Sequence, residues 1–390
     1  MGASTGIPRG VWMLGFVSLF MDVSSELIHS LLPVFMVVSL GATALMVGIV
    51  EGAAEATALI VRVFSGAISD WLGRRKGLTV LGYGLGAVSK PLFALALTVH
   101  WVFVARFMDR IGKGIRGAPR DALIADLTAP QIRGAAYGLR QSLDTAGAFV
   151  GPLLAIGLMV LWAGDFRAVF WFAVIPAVLS VLILLFGVQE PRSETARVRP
   201  TSPVRWRSLG EFGSAYWWVV AAGGVFTLAR FSEAFLILRA QQLGLAASFA
   251  PLVLVIMNVV YAASAYPAGR LADRVSHEKL LAAGLALLVL ADIVLAQAEG
   301  LAAVGAGVAL WGLHMGMTQG LLAAMVAGAA PAHLRGTAFG WFNLVSGVAM
   351  LIASVLAGLL WDELGAAATF YTGAVFAALA LLIVSMRRGQ

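Results

Sequence analysis

Long apolar runs separated by short polar breaks recur along the whole chain. They predict twelve helices, at about 11–39, 44–69, 77–98, 101–125, 134–161, 166–187, 214–240, 247–268, 278–298, 301–328, 336–361 and 367–386. Each run has the roughly 20 residues that cross a hydrocarbon core about 30 Å thick at 1.5 Å per residue. The pattern therefore predicts an all-α, polytopic membrane protein, because only structures that satisfy their own backbone can span lipid. Residues 188–213 break the pattern, being rich in Pro, Arg, Ser and Glu with few large apolar side chains. They read as a cytoplasmic linker between two six-helix bundles, residues 1–187 and 214–390.

The polar breaks repeat. Gly66-Ala-Ile-Ser-Asp70-Trp-Leu-Gly73-Arg74-Arg75-Lys76 returns in shortened form as Gly269-Arg-Leu-Ala-Asp273-Arg274, about 203 residues later. Pro130-Gln-Ile-Arg133-Gly134 is answered by Pro331-Ala-His-Leu-Arg335-Gly336, and Ser25-Glu26 by Ser232-Glu233. Three matches in the same order imply a duplicated bundle. Repeats of this size in a membrane protein point to a solute site near the midplane, reached by alternating access.

Composition supports this picture and narrows it. With 60% hydrophobic and 12% charged residues, a chain of 390 residues could not cover its apolar surface as a soluble protein. The net charge of +7 would suit nucleic acid, but its loop residues lie in alternate loops: Arg74, Arg75 and Lys76; Arg133; Arg192 to Arg207; Arg274 and Lys279; Arg335. That is the positive-inside pattern, which argues against a nucleic-acid partner and puts both termini in the cytoplasm, with the lipid bilayer as surroundings. The absence of cysteine excludes disulfides, thiolate metal sites and cysteine nucleophiles. The first run is long and has no small-residue cleavage site after it, so it reads as a retained helix. No phosphate loop is present, which argues against ATP-driven transport, and nothing calls for a cofactor.

Charges inside the spans are the candidate chemistry, since each is costly unless used or neutralised. The first helix carries Asp22, Glu26 and His29 on one face; the second carries Glu51, Glu55 and Arg62. Asp22 lies roughly 16 Å from the start of its helix and Glu55 roughly 21 Å from the end of its own, so two carboxylate pairs between these helices are geometrically feasible. Close carboxylates suit a proton carrier, and with His29 they would also suit a cation or a divalent metal. The bland alternative pairs Glu51 and Glu55 with Arg62 or Lys90. The fourth helix carries Arg106, Asp109, Arg110, Lys113, Arg116, Arg120 and Asp121. Here Asp109 and Lys113, one turn apart, are placed for a structural salt bridge. Arg120 reads as a cytoplasmic anchor, and Lys113, near mid-depth, as a site for an anion or an acidic neighbour. Gln141, Asp144, Arg230, Glu233, Asn258, Tyr261, His314, Gln319 and Asn343 either line a cavity or satisfy a neighbouring helix.

Three motifs carry a resemblance to a known family. Gly66-x-x-x-Asp70-x-x-Gly73-Arg74-Arg75-Lys76 resembles the loop 2-3 signature of the major facilitator superfamily. Arg106-Phe-Met-Asp109-Arg110-Ile-Gly112 is similar to the helix 4 arginine motif of its proton-linked members, with Arg110 where exporters more often have Gly. Gly138, Gly147 and Gly151-Pro152 follow the antiporter motif of its exporters, although its closing Gly-Gly pair is here Ala155-Ile156.

The resemblance covers essentially the whole chain and implies twelve helices in two pseudo-symmetric bundles. It implies a gating role for Gly66, Asp70, Gly73, Arg74, Asp273 and Arg274. Helices 1, 4, 7 and 10 line the cavity in that fold, which favours Arg106, Arg230, Glu233 and His314. The expectation is a monomeric, proton-coupled antiporter of the bacterial cytoplasmic membrane. It would export a small cationic, amphipathic or metal-related solute, with Asp22 or Glu26 binding proton and solute in competition. The alternative is an importer of an organic anion or metal chelate, with Lys113, Arg106 and Arg230 as its charge complement. A membrane-embedded enzyme would need a catalytic constellation and a loop domain, and the short loops supply neither.

Overall fold

The computed structural model describes residues 6–72, 75–190, 206–272, 274–318, 320–331 and 334–386. Among these residues there are helices, turns and short connections, and no strand. The helices are α1 (Arg9–His29), α2 (Leu32–Val34, continued by a π-helical Phe35–Ser39), α3 (Ala44–Leu72), α4 (Arg75–Ala94), α5 (Val99–Leu127), α6 (Arg133–Leu161) and α7 (Phe166–Gly187). They continue with α8 (Ser214–Ala229), α9 (Ala234–Gln242), α10 (Leu252–Ala272), α11 (His277–Ala296), α12 (Leu301–Thr318), α13 (Leu321–Ala329), α14 (Arg335–Leu364) and α15 (Ala366–Met386).

Every apolar run is found as helix to within a few residues, and three of the runs are interrupted. The first breaks at Ser30 and Leu31, the seventh between α8 and α9, and the tenth between α12 and α13. In the seventh, the Ser232 hydroxyl accepts from the Ala234 N–H (3.2 Å) and the Ser232 N–H donates to the Ser354 hydroxyl (3.2 Å). Such local side-chain bonds replace the helical ladder and open it. In the tenth, Gly320 takes a φ of +80°, a conformation that only glycine adopts freely.

Ten of the helical segments are long and apolar enough to cross a membrane by length and composition. The segments α4 and α5 are not among them, because they carry the buried charges. These two pack against each other along their length. Their approach is closest at Gly82 and Gly112, where a Cβ would stand 2.7 Å and 2.6 Å from the other's carbonyl oxygen. In lipid, where apolar transfer offers little drive, small residues and satisfied polar groups hold helices together.

The chain clusters into two compact units, Met1–His29 with Ile60–Ser202, and Ser30–Leu59 with Pro203–Gln390. In the first, α1 packs on α6 and α7, and α4 on α5 and α7, around Val11, Leu14, Val17, Met21, Tyr83 and Leu184. In the second, α11 packs on α12 and α15, and α8 on α14 and α15, with Tyr216, Val219, Val326 and Trp341 in its core.

Of the expected linker, residues 191–205 lie outside the described residues, as do Gly73, Arg74 and Asp273 and the side chain of Asp70. Gly66 meets Ala118 at an ordinary 3.4 Å, and Arg274 is exposed in a turn. Next to them the chain is tied down. Arg75 pairs with Asp126 at 2.6 Å, and the Glu190 carboxylate accepts the backbone N–H groups of Arg75 and Lys76 at the start of α4.

The second unit contains a cap contributed from far along the chain. The Asp362 carboxylate accepts the N–H groups of Ala44 (3.0 Å) and Leu45 (2.9 Å), satisfying the start of α3. Asp362→Ala should lower stability by about 1 kcal/mol, and Asp362→Asn by less, as read by thermal unfolding in detergent.

Candidate functional site

The half-exposed polar face of the first unit is built on a helix contact. A Cβ at Gly147 would lie 2.6 Å from the Leu19 carbonyl oxygen and 3.0 Å from Asp22 Cβ. One at Gly151 would lie 2.9 Å from both Glu26 Cβ and the Val23 oxygen. These two glycines therefore seat α6 directly on the carboxylate face of α1. A Cβ at Gly138 would meet nothing within 4 Å, so Gly138 plays no such part, while Pro152 is buried beside Gly151.

This contact brings together groups that the sequence leaves apart. Asp144, one turn before Gly147, comes close enough to Asp22 for the two carboxyls to act on each other. Arg116 approaches Asp22 at 3.8 Å and stacks over the Tyr83 ring at 4.7 Å. Arg140 and Arg120 approach Asp144 at 3.4 Å and 3.9 Å. Asp22 and Asp144 keep 20% and 25% of their side chains exposed, so water reaches both. Lys113 is exposed on the same face, close enough to act on Asp22, Glu26 and Asp144. A charge at mid-span is costly against lipid, so this face suits a water-filled cavity.

Several expectations change here. Arg120 is no cytoplasmic anchor: it donates to Ser18 (3.2 Å) and Tyr83 (3.4 Å) and pairs with Asp121 (3.1 Å) inside the unit. Glu26 is held by a 3.2 Å contact with His29 on its own helix. Glu51 is buried and Glu55 half-buried in the stretch of α3 that clusters with the second unit, so neither shares a unit with Asp22 or Glu26. Asp144 is the partner that sequence reasoning missed; its spacing of three and seven from Gly147 and Gly151 was the available signal.

A second set of charges is fully buried between α4 and α5. Lys90 Nζ donates to Asp109 (2.8 Å) and to the Ser25 hydroxyl (2.9 Å), while Arg110 and Arg106 stand 3.9 Å and 4.0 Å from Asp109. Lys90 thus serves Asp109 rather than Glu51 or Glu55, and Asp109 turns to Lys90 rather than to Lys113. The reason is geometric, since the Gly82–Gly112 approach closes α4 over Asp109 while Lys113 faces the open side. At no more than 4% exposure the Lys90–Asp109 pair is structural.

In the second unit, the broken seventh span carries Arg230 and Glu233. The Arg230 guanidinium lies 5.7 Å over the Phe226 ring, and Phe226 packs 5.6 Å from the His314 ring. His314 Nδ1 is 2.7 Å from the Gly284 carbonyl, which can only accept, so Nδ1 carries the hydrogen and Nε2 is left as an acceptor. Among the described residues, His314 Nε2 and Arg230 Nε have no hydrogen-bond partner. Glu233 and Tyr261 lie near enough to act on Arg230. Together these groups offer a cationic donor, a neutral acceptor and an aromatic wall. Gln319 lies outside the described residues. Among the described residues no group of three or more His, Asp or Glu is placed to hold a metal ion, so His29 and its neighbouring carboxylates do not assemble into one.

Asp109→Asn should cost about 3–5 kcal/mol, because it leaves buried cations without their counter-charge. Lys90→Gln should cost less, since Arg106 and Arg110 still face Asp109. Thermal unfolding and detergent-solubilised yield report both. Gly151→Val should separate α6 from α1 and destabilise by about 1–3 kcal/mol on the same measurements.

The chain matches the family model of the Major Facilitator Superfamily over residues 14–238 and again over 225–389. An uncharacterized MFS-type transporter of Methanocaldococcus jannaschii is 30% identical over 384 residues, spanning 97% of this chain and 94% of that protein. The multidrug resistance protein MdtH of Photorhabdus laumondii is 31% identical over 162 residues, 42% of this chain and 39% of its own. A solved peptide transporter, POT, superposes with a TM-score of 0.83 at 14% identity, covering 100% of this chain and 96% of that one. The human organic anion transporter MFSD10 superposes with 0.67 at 18% identity, covering 96% and 99%. At these identities the two structures speak for the fold alone. With the family model matched across both halves and a full-length relative, the chain belongs to the Major Facilitator Superfamily and is a multi-pass membrane transporter.

Proposed function

We propose that this transporter is a proton-coupled antiporter of the bacterial cytoplasmic membrane that exports a small cationic or amphipathic solute. In this reading it works as a monomer with both termini cytoplasmic, and residues 188–213 join two six-helix halves. The observation that carries it is the Asp22–Asp144 pair. Two carboxyls that act on each other inside a span do not both ionise cheaply, so in this reading they share one proton. Arg116 on one side, and Arg120 and Arg140 on the other, hold the pair in place.

A cationic solute reaching the half-exposed pair competes with that proton, and the competition couples the two fluxes. Glu26, engaged by His29, is secondary in this scheme, and Lys113 sets the local charge against which the pair titrates. Export is supported by the partial likeness to MdtH and by the seating of Gly147 and Gly151 against the acidic face. The basic excess favours a second reading, an importer of an organic anion. It rests on Lys113, exposed on the polar face, and on Arg230 over its aromatic wall.

In everted vesicles, proton movement on adding candidate solutes is followed with a pH-sensitive dye. Asp22→Asn and Asp144→Asn should each reduce it by about 10²-fold, with the protein still present in the membrane. Unchanged solute-driven proton movement in both variants would sink the coupling scheme. Resistance of an overexpressing strain to cationic drugs supports export, whereas loss of organic-anion uptake in cells lacking the protein supports the second reading.

A further inference from the structure

The second unit buries an acidic side chain that this scheme does not use. Asp292 lies in the last turns of α11, with no exposed surface, where α11 packs on α12 and α15. Neither carboxyl oxygen has a hydrogen-bond partner among the described residues.

Its surroundings are apolar and aromatic. A Cβ at Gly373 of α15 would stand 2.7 Å from Asp292 Oδ2 and 2.9 Å from Phe231 Cε1, so carboxyl and ring crowd one point. Phe231 in turn packs 5.4 Å from Trp311 and 5.6 Å from both Phe235 and Phe370.

The titratable groups on the neighbouring elements are few. They are His314 on α12, Tyr371 on α15, Tyr261 on α10, Arg230 and Glu233 beside Phe231, and Arg239 on α9, whose guanidinium donates to the carbonyls of Leu295, Ala296 and Ala298 at the end of α11. Glu278 and Lys279 lie at the far end of α11 itself. His314 is committed to Gly284, about 12 Å along α11 from Asp292. Tyr371 is exposed, and none of these groups acts on the Asp292 carboxyl.

An unpaired carboxylate in such a place is among the costliest groups a protein can bury, and the neutral acid is the form that fits. A metal ion would need further oxygen or nitrogen ligands, and among the described residues no acidic or histidine cluster provides them. The position also has a mechanical consequence. Phe231 belongs to the break between α8 and α9, so the wall around Asp292 is made partly by the discontinuity that carries Arg230 and Glu233.

We propose that Asp292 is a proton-binding site of the second unit, occupied in this conformation and emptied when the Arg230–Glu233 break rearranges and admits water to the carboxyl. It is independent of the Asp22–Asp144 pair.

The test uses purified full-length protein in detergent and needs no substrate. Thermal unfolding is followed from about pH 5 to about pH 9, on either side of neutrality. A proton held only by the folded state stabilises it less as pH rises, so the wild type should lose several degrees of melting temperature across the range. Asp292→Asn, which keeps the shape of the neutral acid, should reduce that loss, and should reduce it by the same amount in an Asp22→Asn background, where the carboxyl pair no longer shares a proton. An apolar carbodiimide that attacks protonated carboxyls, mapped by mass spectrometry on the wild-type protein, gives a readout that does not depend on the variant folding. Modification at Asp292 should be present near pH 5 and fall toward pH 9. Parallel melting profiles for wild type and Asp292→Asn would overturn the proposal, as would labelling of Asp292 that is absent or flat over the range.

Discussion

An unpaired charge is not tolerated in a hydrocarbon environment, and the contact between Lys90 and Asp109 at 2.8 Å is where the first unit meets that constraint most directly. The two least apolar helices, α4 and α5, can sit inside the bundle because their charges face each other. Gly82 and Gly112 bring the backbones close enough for the short Asp109 side chain to meet Lys90. Once α5 is fixed in this way, its next turns present Lys113, Arg116 and Arg120 toward α1 and α6. The buried pair therefore supports the exposed one: the orientation that neutralises Asp109 also delivers Arg116 to Asp22 and Arg120 to Asp144.

The two halves of the duplicated sequence have used their polar residues differently. Ser25-Glu26 lies within an unbroken α1, where Ser25 accepts from Lys90 and Glu26 engages His29. Its counterpart Ser232-Glu233 lies at a break, where Ser232 bonds the backbone of Ala234 and the side chain of Ser354. The first unit is consequently rich in paired charges. Both units hold buried polar atoms without partners among the described residues, on Arg116, Thr128 and Arg140 in the first and on Arg230, His314 and Asp292 in the second. Unsatisfied buried groups cost more than satisfied ones contribute, so their presence in a folded unit points to use rather than to stability. What separates the units is charge pairing, which among the described residues is concentrated in the first.

Membership of a fold family does not fix a solute. The same twelve-helix architecture superposes on a peptide transporter and an organic anion transporter at identities below 20%, so chemistry has to be argued from the side chains present. In this chain those side chains are a carboxyl pair framed by arginines, an exposed lysine, and an arginine over an aromatic wall.

The sequence by itself determined which runs are helical, the repeated motifs and the family. Apolar runs matched to bilayer thickness leave almost no other solution, and repeated motifs survive as local strings. It also marked Asp22, Glu26, Arg116 and Gly147 as unusual, because a charge or a small residue in a span is conspicuous without any partner in view. Which charges meet was decided only by tertiary structure. Asp109 has Lys113 one turn away in sequence but takes Lys90 from another helix, and Asp22 finds Asp144, more than a hundred residues on. Pairing depends on helix rotation and on close backbone approach at glycines such as Gly112 and Gly147, and hydropathy encodes neither. Asp292 shows the same limit from the other side, as an ordinary aspartate in an apolar run that packing beside Phe231 and Gly373 leaves with no hydrogen-bond partner among the described residues.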